Sequence, residues 1–236
     1  LVGGSSSSHR RFNFYMPAGL AVDNNPNSPY IGRIYVTESR ENVTTTSGRQ
    51  VQQGVYIYGA DLSDVTGQGL EPYTGDVDWN ENVTSGEVPH AAYGPARITI
   101  DEEGYVYICD NGPVADGTSG VWRMNPANPS ASFDDVLHAS ENRGTLYQRI
   151  NSATVVQENG KKYLYAVDNQ CLNSSVANLL KVPIETTAAV QREEKVTNIL
   201  TDIVNAHNTI IKGAYNDLWV FQFRNGVEHT GILHIN

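Results

Sequence analysis

The sequence has only two cysteines, Cys109 and Cys171, among 236 residues. Two cysteines are too few for a disulfide framework, and their spacing does not match a metal site. They either pair, if their segments lie on neighbouring sheets, or remain as two separate thiols. In both cases stability must come mainly from a hydrophobic core, which a chain of this length can form.

Basic residues are also scarce. Sixteen Lys and Arg stand against 26 Asp and Glu, which gives a formal net charge of −10, and the small basic cluster at 9–11 does not alter that balance. This charge argues against nucleic acid binding through electrostatic attraction to phosphates, so no nucleic acid partner is predicted. No apolar run approaches the roughly 18 residues that a membrane-spanning helix needs, so no membrane span is predicted.

Local catalytic signatures are missing as well. The sequence has no Gly-x-Ser-x-Gly elbow, no His-x-x-x-His pair, no phosphate-binding loop and no dinucleotide fingerprint. The alternative of a catalytic triad assembled from residues far apart in the sequence stays open. The sequence therefore identifies no reaction.

What is abundant points to strands and turns, because 13 Tyr and 21 Gly accompany many Val, Thr and Asn. The segments 17–23 and 95–101 align without a gap, each beginning with Pro and ending with Asp. Both predict a short first strand closed by an aspartate. Second strands follow at 34–38, 106–110, 164–168 and 218–222, and a third strand follows each of them after a loop.

This recurring order predicts four β-propeller blade units, at about 15–75, 93–138, 148–200 and 205–236. Fourth strands are expected near 71–74, 133–137 and 196–200, although a short helix over 186–201 also fits the pattern. A β-sandwich is the alternative, but it does not predict one strand order four times. Four units is a small number for a ring, so we expect a fragment of a larger propeller, or a ring closed by strand exchange with 1–15.

The plan of these units, clearest over 95–124, resembles the NHL and SMP-30/gluconolactonase-like propellers. The segment 19–39 and the phrase at 121–126 are also similar to secreted propeller proteins common in Bacteroidetes. The resemblance implies a binding face at one end of a central tunnel. In the SMP-30-like members this face holds a divalent cation, usually calcium. No position here matches the catalytic acid–base of those enzymes, which puts lactonase activity in doubt.

The resemblance implies that this face is formed by residues at the ends of the second strands and at the starts of the first strands. Carboxylates at the strand ends suit calcium, which takes several oxygen ligands. The alternative is that each aspartate only caps a turn by accepting backbone N–H bonds. The strand-end residues are Glu38, Asp110, Asp168 and Gln222, and the other residues of the predicted binding face are Arg97, Asn111, Asn151, Asn169 and His207.

A second calcium candidate lies in the loop after the first unit. Asp76, Asp78 and Asn80, followed by Glu87, have the spacing of ligands in a calcium loop, but the glycine that an EF-hand needs is absent. A solvated polar loop explains the same residues. Among the three tryptophans, Trp79 is the one expected at the surface, where an aromatic ring can stack on a sugar.

Three Asn-x-Ser/Thr triplets begin at Asn42, Asn82 and Asn173, and they favour a secreted, periplasmic or cell-surface protein. The chain begins at Leu1 with a Gly/Ser-rich stretch, so we expect either a removed leader or a longer parent. The leading hypothesis is a binding or scaffold module for a glycan, peptide or protein partner. The alternative is a calcium-dependent hydrolase or lactonase of the SMP-30-like type.

Overall fold

The computed structural model describes residues 14, 17–39, 43–44, 48, 50–66, 71–79, 94–111, 120–138, 150–168, 176–185, 195–204, 209–222 and 231–235. Every regular element in these residues is a β-strand. The strands form four antiparallel sheets that follow one another along the chain, together with one small hairpin. No helix in the described part of the chain is long and apolar enough to cross a membrane.

The first sheet, blade one, has the strand order β1-β2-β5. It consists of β1 (Pro17–Val22), β2 (Ile34–Glu38) and β5 (Gly54–Tyr58). The long loop between β2 and β5 contains the hairpin of β3 (Val43–Thr44) and β4 (Gln50–Val51).

The other three blades repeat this order of first, second and third strands, and blades two and three add a fourth. Blade two contains β6 (Pro95–Ile100), β7 (Val106–Asp110), β8 (Gly120–Met124) and β9 (Asp134–His138). Blade three contains β10 (Ile150–Glu158), β11 (Lys161–Asp168), β12 (Val176–Pro183) and β13 (Thr197–Val204). Blade four contains β14 (Thr209–Lys212), β15 (Leu218–Gln222) and β16 (Gly231–Ile235).

Two details of the predicted secondary structure are wrong. The fourth strand expected over 71–74 is reduced to one bridge between Val55 and Tyr73. Pro72 interrupts this segment, and proline has no N–H to donate to a ladder. The possible helix over 186–201 is also wrong where the structure describes it, because 197–201 belongs to β13 and pairs with β12.

Each blade packs face to face against the next. Tyr35 of blade one and Ile108 of blade two belong to one buried hydrophobic cluster. The alternate residue Cys109 faces blade three, where it joins a cluster with Leu164. A third cluster, which includes Val220, joins blades three and four. Because both faces of a middle blade are covered, its second strand is buried along its whole length.

The first strands lie innermost and contact one another in sequence: β1 with β6, β6 with β10, and β10 with β14. Sheets that share an axis in this way and pack through their faces are blades of a propeller. The fold class predicted from the sequence is therefore confirmed.

The blades are joined by ionic contacts at the end where the first strand turns into the second, which we call the turn rim. Lys162 of blade three lies 2.9 Å from Asp101 of blade two. Lys212 of blade four lies 2.8 Å from Glu102 of blade two. The residues Asp23 and Asp101, predicted to close the first strands, accept backbone N–H bonds in their own turns. The turn rim thus holds three blades at fixed distances around the axis.

Candidate functional site

The opposite end of the blades, the strand-end rim, contains the predicted column of acidic residues. Glu38, Asp110 and Asp168 end the second strands of blades one to three. Each is fully buried. Gln222 ends the second strand of blade four, and its side chain lies outside the described part of the structure. The repeat therefore places three carboxylates at equivalent positions of successive blades.

The three carboxylates are not grouped around one point. Within the described residues, no three His, Cys, Asp or Glu side chains come close enough to bind one metal ion. Each of the three carboxylates has an interaction partner of its own in the protein. Calcium binding at this rim stays a prediction.

The second calcium candidate is only partly described. Asp76 is exposed and has a left-handed backbone conformation, with φ of +55°. It accepts a hydrogen bond of 2.5 Å from the Ser132 hydroxyl of blade two. Asp78 is exposed, whereas Asn80 and Glu87 lie outside the described residues. The contact with Ser132 gives Asp76 a structural role in joining two blades.

Neutral hydrogen bonds join adjacent blades at the strand-end rim. The Thr37 hydroxyl of blade one donates to the carbonyl of Ala96 over 2.6 Å. The Asn111 side chain of blade two donates to Asn151 of blade three over 3.3 Å. In the same way, the backbone N–H of Ile210 donates to the Ser152 hydroxyl over 3.2 Å. This polar seam crosses all three blade interfaces.

The first strands are irregular at this rim. The pairing with the second strand shifts register between Pro17 and Gly19, between Pro95 and Ile98, and between Ile150 and Ser152. A β-bulge of this kind turns a side chain away from its regular direction, and bulges often border functional sites. The bulge in β6 contains Arg97.

A cavity of about 540 Å³ lies between the first strands of all four blades. Arg97 lines it and is exposed. Within the described residues, Arg97 makes no hydrogen bond and no ion pair. Burial of Cys109 raises the pKa of its thiol to about 12, and the positive charge of Arg97 opposes this rise. Lys212 also lines the cavity, but its ammonium group pairs with Glu102. Most of the remaining lining consists of hydroxyl and apolar side chains, among them Leu20, Thr99, Ser152, Thr154, Thr209 and Ile211.

The residues of the predicted binding face are thus only partly brought together. Arg97 lines the cavity, and Asn111 and Asn151 bind each other at the strand-end rim. Asn169 and His207 lie outside the described residues. Sequence reasoning missed the hydroxyl residues of the first strands. Their signal is the alternation of Ser152 and Thr154, which places both side chains on one face of β10.

The expectation that Trp79 lies at the surface is wrong. Its side chain is buried, and its ring makes edge contacts with Trp122 at 6.4 Å and with Phe133 at 6.3 Å. The indole N–H donates to the carbonyl of Thr74 over 3.1 Å. Trp79 is therefore part of the core between blades one and two and has no free face for a ligand.

Comparison with protein-family models finds no match, and comparison with curated proteins finds none either. Among solved structures the chain is similar to an α-L-arabinofuranosidase of Clostridium thermocellum, with 13% sequence identity and a TM-score of 0.42. The similarity covers 90% of this chain and 62% of the other, so the chain spans less than two thirds of that enzyme. A similarity at this level gives no information about activity.

Proposed function

We propose that this protein is a binding module that takes an acidic sugar into the cavity between its first strands. The observation that carries the proposal is Arg97, an exposed cation without a described partner inside a cavity of about 540 Å³. In a protein with a net charge of −10, such a cation attracts an anionic ligand into this cavity.

The chemistry of the cavity favours a carboxylate on a sugar. A guanidinium presents two parallel N–H groups that match the two oxygens of a carboxylate. Hydroxyls such as Thr99 and Thr209 suit the hydrogen bonds of sugar hydroxyls, while Leu20 and Ile211 offer apolar contact to C–H groups. The volume suits a mono- or disaccharide. A uronic acid combines all of these features.

We further propose that the protein acts outside the cell or in the periplasm. The three Asn-x-Ser/Thr triplets and the resemblance to secreted propeller proteins common in Bacteroidetes support this location. A binding role agrees with that resemblance, since propellers of this shape also serve as scaffolds without catalysis.

Replacing Arg97 tests the binding proposal directly. We expect wild-type protein to bind digalacturonic acid and not the neutral disaccharide lactose, as measured by isothermal titration calorimetry. Arg97→Gln should lower the affinity about tenfold to a hundredfold, because a charge-assisted hydrogen-bond pair is lost.

The matched control is Arg123→Gln. Arg123 lies on blade two as well, but it pairs with Asp134 at 2.5 Å away from the cavity. We expect this variant to bind digalacturonic acid as the wild type does. Equal affinity of the Arg97→Gln variant and the wild type, or no binding by the wild type, would overturn the proposal.

A calcium-dependent hydrolase of the SMP-30-like type is the second candidate, favoured by the three equivalent buried carboxylates of the strand-end rim. If they bind calcium, excess calcium raises the melting temperature relative to chelator, because a ligand bound only by the folded state stabilises it. Asp110→Asn should abolish this shift, and Asp23→Asn, on the turn rim, should retain it. The same melting temperature with calcium and with chelator would reject this candidate.

A further inference from the structure

A second pocket, on blade three, gathers most of the lysines of the chain. The sequence has five lysines, at positions 161, 162, 181, 195 and 212. The first four of these line one pocket of about 540 Å³ beside Tyr163 and Glu185. An acidic protein that concentrates its few ammonium groups in this way carries a local positive field in spite of its net negative charge.

Strand register produces this convergence. Tyr163 pairs with Pro183, and Lys181 pairs with both Tyr165 and Thr197. Because alternate residues of a strand share a face, Lys161 lies on the same face as Tyr163 and Lys181. Lys195 comes just before the start of the neighbouring strand β13. Lys161, Lys181 and Lys195 therefore meet across three strands even though they are far apart in sequence.

Two of the four lysines have carboxylate partners. Lys162 lies 2.9 Å from Asp101 and 3.0 Å from Glu103. Lys181 lies 2.5 Å from Glu158. Its ammonium group also lies 4.2 Å from the centre of the Tyr163 ring, a cation–π contact that fixes its position.

The other two lysines have no such partner. Lys161 and Lys195 are exposed, and neither forms an ion pair with a described residue; Glu193 and Glu194, which directly precede Lys195, lie outside the described part of the chain. Glu185, the one carboxylate in the lining, accepts the backbone N–H of Lys162 over 3.3 Å. The described charges of the lining therefore leave two ammonium groups available to a ligand.

The residue type indicates which anion fits. All four cations of the pocket are lysines, although the chain has more than twice as many arginines. A guanidinium binds a carboxylate or a phosphate through a fixed planar pair of N–H groups, whereas a lysine ammonium is a compact point charge without that planar requirement. Several ammonium groups around one pocket therefore suit a ligand that carries several negative charges on tetrahedral groups. We propose that this pocket binds a ligand with two or more phosphate or sulfate groups, independently of the Arg97 cavity.

The test compares binding of pyrophosphate, a sulfated heparin disaccharide and digalacturonic acid at low ionic strength by isothermal titration calorimetry. We expect K161Q/K195Q to reduce the affinity for pyrophosphate or the sulfated disaccharide about tenfold or more, because two charge-assisted contacts are lost. If pyrophosphate binds more tightly than the disaccharide, the pocket favours ligands with phosphate groups. If the disaccharide binds more tightly, the pocket favours ligands with sulfate groups.

The control K212Q removes the remaining lysine, which pairs with Glu102 outside this pocket. It should bind both oxyanions as the wild type does, and so should the Arg97→Gln variant, which separates this site from the proposed sugar site. Melting curves without ligand should show that all variants are folded. If the wild type binds neither oxyanion, or if K161Q/K195Q binds as tightly as the wild type, the proposal is wrong.

Discussion

Gly75→Ala is expected to lower the free energy of unfolding by about 3–5 kcal/mol, which combines overpacking with backbone strain. Gly75 has a φ of +67°, a conformation that glycine adopts without steric cost. A Cβ atom at this position would overlap the ring of Phe133 on blade two. Phe133 is buried against Trp79, so its ring has no room to move aside. Urea unfolding measures the loss.

Gly160→Ala is the matched control for this substitution. Its φ of +76° is similar, but nothing lies within 4 Å of the position of an added Cβ. We expect only the backbone cost of about 1–2 kcal/mol there. If both variants lose the same stability, close packing of Gly75 against Phe133 makes no separate contribution.

Asp101→Ala is expected to cost about 2–4 kcal/mol, because it removes several bonds from a buried carboxylate and leaves a lysine partly unpaired. Asp101 accepts the N–H groups of Glu103 and Tyr105, the Tyr107 hydroxyl and the Lys162 ammonium. The last contact crosses from blade two to blade three. The variant should therefore unfold at lower urea concentration through loss of both the turn and the interface.

Asp23→Ala separates these two losses. Asp23 has the corresponding place in blade one and is also buried, but its described partners are the N–H of Asn25 and the hydroxyl of Ser28. We expect a cost of about 1–2 kcal/mol. Equal costs at both sites would mean that the pair with Lys162 contributes nothing.

The pH dependence provides a second measurement on Asp101. Burial alone lowers the pKa of Lys162, but hydrogen bonds to Asp101 and Glu103 outweigh it and raise the pKa above its ordinary value. Because the pKa of Lys162 is higher in the folded state than in the unfolded state, where it is near 10.5, the protonated lysine stabilises the fold at pH values below about 10.5. This stabilisation is lost as the pH rises through the pKa of the folded state. The difference between wild type and Asp101→Ala should thus shrink above about pH 10.5.

The blade plan could be predicted because its signals are local. The strands Ile34–Glu38 and Val106–Asp110 have the bounds expected from the sequence, since an apolar run with one aromatic ends at a carboxylate in both. The closing aspartates Asp23 and Asp101 could likewise be recognised from their position before a turn. Each of these features depends on residues close together in the chain.

Features that depend on distant partners could not be predicted. Trp79 is buried because Phe133, far along the chain, packs beside it. The lysine pocket depends on the register of three strands, which a single sequence does not specify. Arg97 could be assigned to the binding face from the sequence. Its lack of a described partner depends on which side chains the other first strands bring near it, and the sequence does not specify these.

The different bonds at the two rims give the cavity an asymmetric response to ionic strength. Charge pairs such as Glu102 with Lys212 are partly exposed at the turn rim, so dissolved salt screens them. The three described hydrogen bonds between blades at the strand-end rim, such as that from Thr37 to Ala96, join uncharged groups and are insensitive to screening. Added salt therefore weakens the described contacts between blades at the turn rim more than those at the strand-end rim near Arg97.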